Sequence, residues 1–139
     1  MCDEQGWGQR ILAEKRRNIG KFKQQNEAFV SVQTATSWKN VDNNCQHIID
    51  IIEYCQQHGI RLIFVSTPCR KEYNLLLDVK QLKKMYELIH EFQLKYGIEY
   101  YDYRDDSRFC YDDFYDFSHL IDTGAEKFTK ILADDIRLN

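Results

Sequence analysis

The chain has 139 residues, 43% of them hydrophobic, which is enough for one domain with a real core. A net charge of −3 gives no reason to expect a nucleic-acid partner, and no apolar run approaches the ~18 residues that span a bilayer. The polar start, Met1-Cys2-Asp3-Glu4-Gln5-Gly6, lacks the features of a signal peptide, so a chain complete as it stands is expected in the cytoplasm.

Residues 1–41 read as a poorly defined N-terminal arm to a single α/β domain spanning 1–139. Ile11-Leu12 and the charges after it suit a short helix ending near Gly20, and Lys15-Arg16-Arg17 with Lys21 and Lys23 suit a solvated helix face. Ala28-Phe29-Val30-Ser31-Val32 alternates as a strand or an extended arm. Trp7 and Trp38 are aromatic anchors without an obvious partner. Five cysteines, an odd number with no C-x-x-C, indicate neither a disulfide framework nor a zinc site.

From residue 42 the pattern is regular. Asp42 or Asn43 caps an expected helix whose apolar positions are Cys45, Ile48, Ile49, Ile52 and Cys55, with Gly59 as its left-handed stop. Ile60 to Val65 is a nearly continuous apolar run, as in a strand covered on both faces of a parallel sheet, and Pro68 ends it. Ser66-Thr67-Pro68-Cys69 then falls at the carboxyl end of that strand, where open α/β sheets place their sites. Ser66 and Thr67 are candidate binding residues there. Ser66 or Cys69 as a nucleophile lacks a local base, and a strand-terminating turn accounts for the same residues.

A second helix is expected over Asp78–Tyr96, with Asp78 and Gln81 as a capping box, Leu82, Met85, Ile89, Phe92 and Tyr96 as the buried stripe, and Gly97 as its stop. His90 lies off that stripe, and His47 and His58 show no partner pattern. Ile98 to Tyr103 is the next strand. An acidic, aromatic loop runs from Asp102 to Asp116, long for a connector. A metal held by Asp112, Asp116 and His119 is conceivable, but no known ligand spacing is present; no metal and no cofactor is expected. Thr123 and Glu126 form another capping box, with Ala125, Phe128, Leu132 and Ile136 facing inward.

The stretch most suggestive of chemistry is Asp116-Phe117-Ser118-His119-Leu120. A carboxylate three residues before an imidazole, in a loop feeding a helix, can accept the Nδ1 proton, fix the tautomer and leave Nε2 as a base. Asp near a helix start is also an ordinary cap. Alternating helices and strands imply right-handed crossovers and a three-layer α/β/α sandwich, flavodoxin-like, around a mostly parallel sheet that two strands leave incomplete.

Ile63-Phe64-Val65-Ser66-Thr67-Pro68, Tyr100-Tyr101-Asp102-Tyr103 and Phe114-Tyr115-Asp116-Phe117-Ser118-His119-Leu120, with Gly124-Ala125-Glu126-Lys127-Phe128-Thr129, resemble the C-terminal half of an SGNH/GDSL-type hydrolase. The branch they resemble is that of the D-alanyl-lipoteichoic-acid biosynthesis and alginate O-acetylation proteins, and the likeness covers about residues 42–136. It implies that Asp116 and His119 are the acid and base of a Ser-His-Asp triad acting on esters of an acylated glycan; Tyr115, beside them, is a further candidate binding residue. The Gly-Asp-Ser block and the Gly-x-Asn oxyanion block of such enzymes are missing; Asn43-Asn44 lacks the glycine, and Ser107 lies on the wrong element. The expectation is therefore a truncated or partial domain, inactive alone as an esterase or acyltransferase. The alternative is a non-catalytic α/β interaction module. Unpaired sheet edges make self-association, through an edge or a helix face, a further expectation.

Overall fold

A computed structural model describes Thr34 and residues 37–137. The elements are α1 (Val41–Gln57), β1 (Ile63–Ser66), the one-turn α2 (Lys71–Asn74), α3 (Val79–Tyr96), β2 (Glu99–Asp102), a 3₁₀ turn at Tyr111–Asp113, and α4 (Asp122–Arg137). The architecture is mixed α/β, with β1 and β2 parallel and in register from Ile63 opposite Glu99 to Ser66 opposite Asp102. The expected strand at residues 28–32, the basic cluster at 15–23, Trp7 and Cys2 lie outside the described residues.

The helix starts differ from expectation by a residue or two. α1 begins at Val41 with Asn40 at the cap position and no side-chain cap bond, so Asp42 and Asn43 sit inside the first turn rather than capping it. Asp42 there meets the positive end of the helix dipole. At the other end Ile60 N donates to Cys55 O (2.8 Å) and Gly59 N to Gln56 O (3.2 Å), a Schellman closure with Gly59 at φ 65°. That closure explains why the strand starts at Ile63 and not at Ile60: the backbone of Ile60 is spent on ending the helix. Ile60 is accordingly half exposed, and all four residues of β1 are half-buried rather than covered on both faces. The ends of α3 follow its sequence: Asp78 caps it by accepting from Gln81 N at 2.8 Å, and Gly97 closes the helix at φ 68°, while of the expected stripe only Phe92 is fully buried.

The first core joins α1, α3 and the strands through Ile52, Phe92 and Ile98, with Cys45, Ile48, Ile49, Phe64 and Leu88 packed against them. Phe64 meets Phe92 edge-on at 6.4 Å. A second buried group, Tyr103, Phe114, Phe117 and Ile121, belongs to the tail. Phe128 of α4 closes on it, 5.2 Å from the Tyr103 ring and 6.1 Å from that of Phe109.

α4 begins at Asp122, so Thr123 lies within its first turn and is not its cap. The first helical bond runs from Ala125 N to Ile121 O (2.8 Å), which makes buried Ile121 the capping position by backbone alone. Ile121 N in turn donates to Asp113 O at 3.0 Å. A Cβ on Gly124 would stand 2.2 Å from that same Asp113 oxygen, so only glycine allows α4 to pack this closely on the 3₁₀ turn.

Candidate active site

The loop between the 3₁₀ turn and α4 is a short closed hairpin. Phe114 and Leu120 form an antiparallel bridge, and Tyr115 N donates to His119 O at 2.8 Å. Asp116 and His119 lie at its tip. Asp116 Oδ1 accepts from Ser118 N (3.0 Å) and His119 N (2.9 Å), as an Asp in a tight turn does. Both carboxylate oxygens also lie 2.9 Å from His119 Nδ1. The structure therefore brings the two residues together in the geometry expected from their spacing. With an acceptor-only carboxylate at Nδ1, that nitrogen carries the proton, so in the neutral ring Nε2 is the one with the lone pair. Nε2 has no hydrogen-bond partner among the described residues, and the imidazole is 55% exposed.

The hairpin sits at the carboxyl ends of the two strands. Arg70 N donates to Phe117 O (2.9 Å), and Tyr103 N to Ser66 O (3.0 Å), fastening the loops together there. A cleft of about 420 Å³ opens beside them, with Ser66, Thr67 and Ser118 at its polar rim and Val65, Leu77, Leu82 and Met85 along its apolar wall. Its volume lies within the range of small-ligand sites. Leu82 and Met85, expected in the core stripe of α3, are thus half-buried walls of this cleft. Thr67 is exposed, and Ser66 Oγ shares a 2.7 Å hydrogen bond with Tyr100 Oη. Tyr115, half-buried, is held through its backbone and is not among the residues lining the cleft.

Neither nucleophile at the β1 end is activated. The Cys69 thiol donates to Asn74 Oδ1 (3.0 Å), and burial pushes its pKa up to about 11, so it stays a thiol at neutral pH. Ser118 Oγ lies 3.4 Å from His119 Nδ1, the nitrogen committed to Asp116, and not at Nε2. Arg104 O, which accepts from Asn74 Nδ2 at 2.9 Å, holds the cleft floor against the β2 end.

The acids of the long loop are mostly paired. Asp106 accepts from Arg108, which holds its carboxyl below the usual range; Asp102 accepts from Tyr86 Oη at 2.5 Å and from Arg104. Asp116 and His119 do meet, but among the described residues no group of three His, Cys, Asp or Glu is placed to hold a metal ion. His47 and His58 have local partners after all: His58 Nδ1 is 2.8 Å from Tyr54 O with its ring stacked on Tyr54, and His47 is 3.3 Å from the Asn43 amide. His90 is exposed, Trp38 is 42% exposed, and Cys45, Cys55, Cys69 and Cys110 are free thiols.

Asp113 anchors the hairpin's base, accepting from Lys127 Nζ and from Cys110 N, each at 2.8 Å. Burial alone would raise its carboxyl, but these donors outweigh it and the pKa is lowered. A depressed folded-state pKa contributes stability above the ordinary carboxylate value and loses it as pH falls through the folded value. Stability is thus expected to fall off below about pH 4. In Asp113→Asn that acid limb should flatten while stability at neutral pH drops; identical pH profiles of denaturant midpoint in both proteins would remove Asp113 from this role.

Sequence reading singled out Asp116 and His119, and Gly124 only as part of a resemblance, but missed Arg70. Arg70 looks like an ordinary turn residue, and only the chain's return brings it to the hairpin. Gly124, directly after a helix start, was the one legible signal, since glycine is costly inside a helix without a packing reason. No protein-family model, no curated protein and no solved structure matches the chain. No helix among the described residues is long and apolar enough to cross a membrane.

Proposed function

We propose that this chain carries the acid–base half of an SGNH/GDSL-type ester hydrolase or acyltransferase site. In this reading His119 takes and returns a proton through Nε2, and Asp116 orients the ring and stabilises the imidazolium. The observation that supports it most is the two-oxygen approach of Asp116 to Nδ1 with Nε2 left open; the cleft reaches the hairpin at Ser118, next to His119, while Asp116 and His119 themselves do not line it. The attacking serine comes from outside residues 37–137, because no hydroxyl among the described residues lies at Nε2. The substrate class, esters of an acylated glycan, rests on the sequence resemblance alone.

A complete three-layer sandwich belongs to the same reading. Phe64 and Tyr100 face α3, while Tyr103 and Arg61 reach α4 through Phe128, Asp135 and Ile136 O, which supports helices on both faces of the sheet. Self-association through a sheet edge or a helix face is the corresponding proposal for partners; sedimentation velocity should show a concentration-dependent dimer, and a monomer throughout would count against it.

An activated ester tests the chemistry. Without the serine the chain alone is expected to show no triad turnover. With p-nitrophenyl acetate, the open Nε2 should still add the slow background of an exposed imidazole, reduced in His119→Ala and weakened in Asp116→Asn, where the amide can present a donor to Nδ1 and favour the wrong tautomer. Equal rates for the native chain and His119→Ala would overturn the hydrolase reading. They would favour the second one, a non-catalytic α/β interaction module. One observation already speaks for that alternative: the backbone bonds from Ser118 and His119 give Asp116 a sufficient role as a turn-forming acceptor.

A further inference from the structure

We propose that Arg70 is a positioning residue that seats the Asp116–His119 hairpin on the carboxyl end of β1. Its importance to catalysis rests on the acid–base reading above, but its contacts stand independently. Arg70 follows Thr67 and Cys69, which line the cleft, and its backbone N–H binds Phe117 O between Asp116 and Ser118. Its guanidinium lies 4.3 Å from the Tyr111 ring centroid and 5.5 Å from that of Phe117. Those rings stand before and within the hairpin, so one flat cation bridges both.

The guanidinium is held in that plane. Glu72 accepts from Nη2 at 2.6 Å and from Nε at 3.2 Å, and this bond holds the Glu72 carboxyl below its usual range. Only 11% of the Arg70 side chain is exposed, and Nη1 is buried without a hydrogen-bond partner. Packing alone does not call for this arrangement. An aliphatic side chain of similar size would fill the space without burying an unpaired N–H. What arginine adds is a planar cation fixed from one side by Glu72 and presented to two rings. That fixes the hairpin's distance and tilt relative to the β1 rim, and with them the position of the imidazole relative to that rim.

The test follows the proton that Asp116 holds on His119 Nδ1, by NMR of the full chain. In Arg70→Met the Nδ1 proton is expected to exchange with water about tenfold faster, because local opening of the hairpin becomes easier. The amide of Tyr115, bonded to His119 O, should speed up with it, while amides of Ile52 and Phe92 in the first core stay unchanged. Arg70→Lys, with the charge but not the plane, should recover only part of the protection. A folded Arg70→Met with native Nδ1 exchange overturns the proposal. Should Arg70→Met not fold, Glu72→Gln frees the guanidinium without removing it, and native Nδ1 exchange there also overturns the proposal. Neither outcome touches the ester assay on the native chain, so failure of the positioning role and failure of the acid–base reading are distinguishable.

Discussion

Gly124→Ala is expected to destabilise the protein by about 3 kcal/mol, at the upper end of the usual cost of overpacking. The added methyl would stand 2.2 Å from Asp113 O and 3.0 Å from Asp113 C, both backbone atoms that cannot rotate away. Either α4 lifts from the 3₁₀ turn or Asp113 shifts. In both cases the bonds from Ile121 N and Lys127 Nζ to Asp113 lengthen, and the base of the hairpin loosens. The variant should therefore lose stability and disturb the His119 resonances together. An alanine protein as stable as the native one by denaturant unfolding would mean that α4 does not approach Asp113 this closely. Elsewhere in an exposed helix the same substitution would stabilise, since alanine is the better helix former by about 1 kcal/mol; the sign of the effect is the diagnostic.

Phe114→Ala is the other large effect, a loss of about 3–5 kcal/mol, the range for emptying a buried phenylalanine site. Phe114 is 2% exposed, packs 6.5 Å from the Phe109 ring, and pairs with Leu120 across the hairpin. It is the apolar foundation under Asp116 and His119, whose own side chains are partly solvated and contribute little burial. Truncating it leaves a cavity at the junction of hairpin, loop and α4, and rigid backbone bonds limit how far that cavity can collapse. Thermal and denaturant unfolding measure the loss. A cost below about 1 kcal/mol would show that the tail group is not a core at all. Phe114→Leu should restore most of the stability while leaving the Asp116–His119 bond in place, which separates packing from site geometry.

The sequence by itself determined the elements whose signals are local. The 3.6-residue stripes fixed α1, α3 and α4; Gly59 and Gly97 fixed two helix ends, because a left-handed residue after a helix is cheap only for glycine. The Asp116–His119 contact was also legible, since three residues of turn bring a carboxylate to its own loop's imidazole without help from the rest of the chain. Helix starts were less so: Asn40 and Ile121 serve where Asp42, Asn43 and Thr123 looked better, because the tertiary position of the incoming chain outweighs the preference of one side chain.

Only the tertiary structure decided what surrounds that pair. The cleft takes its walls from β1 and α3, and Arg70 reaches rings more than forty positions further on. Such contacts depend on how the strands align and how α4 packs, and Gly124 shows that packing to be set by a single backbone approach. Local patterns carry the period of a helix and the reach of a short loop. They hold no record of which distant surfaces burial of apolar area will press together, and the surroundings of His119 are made of those surfaces.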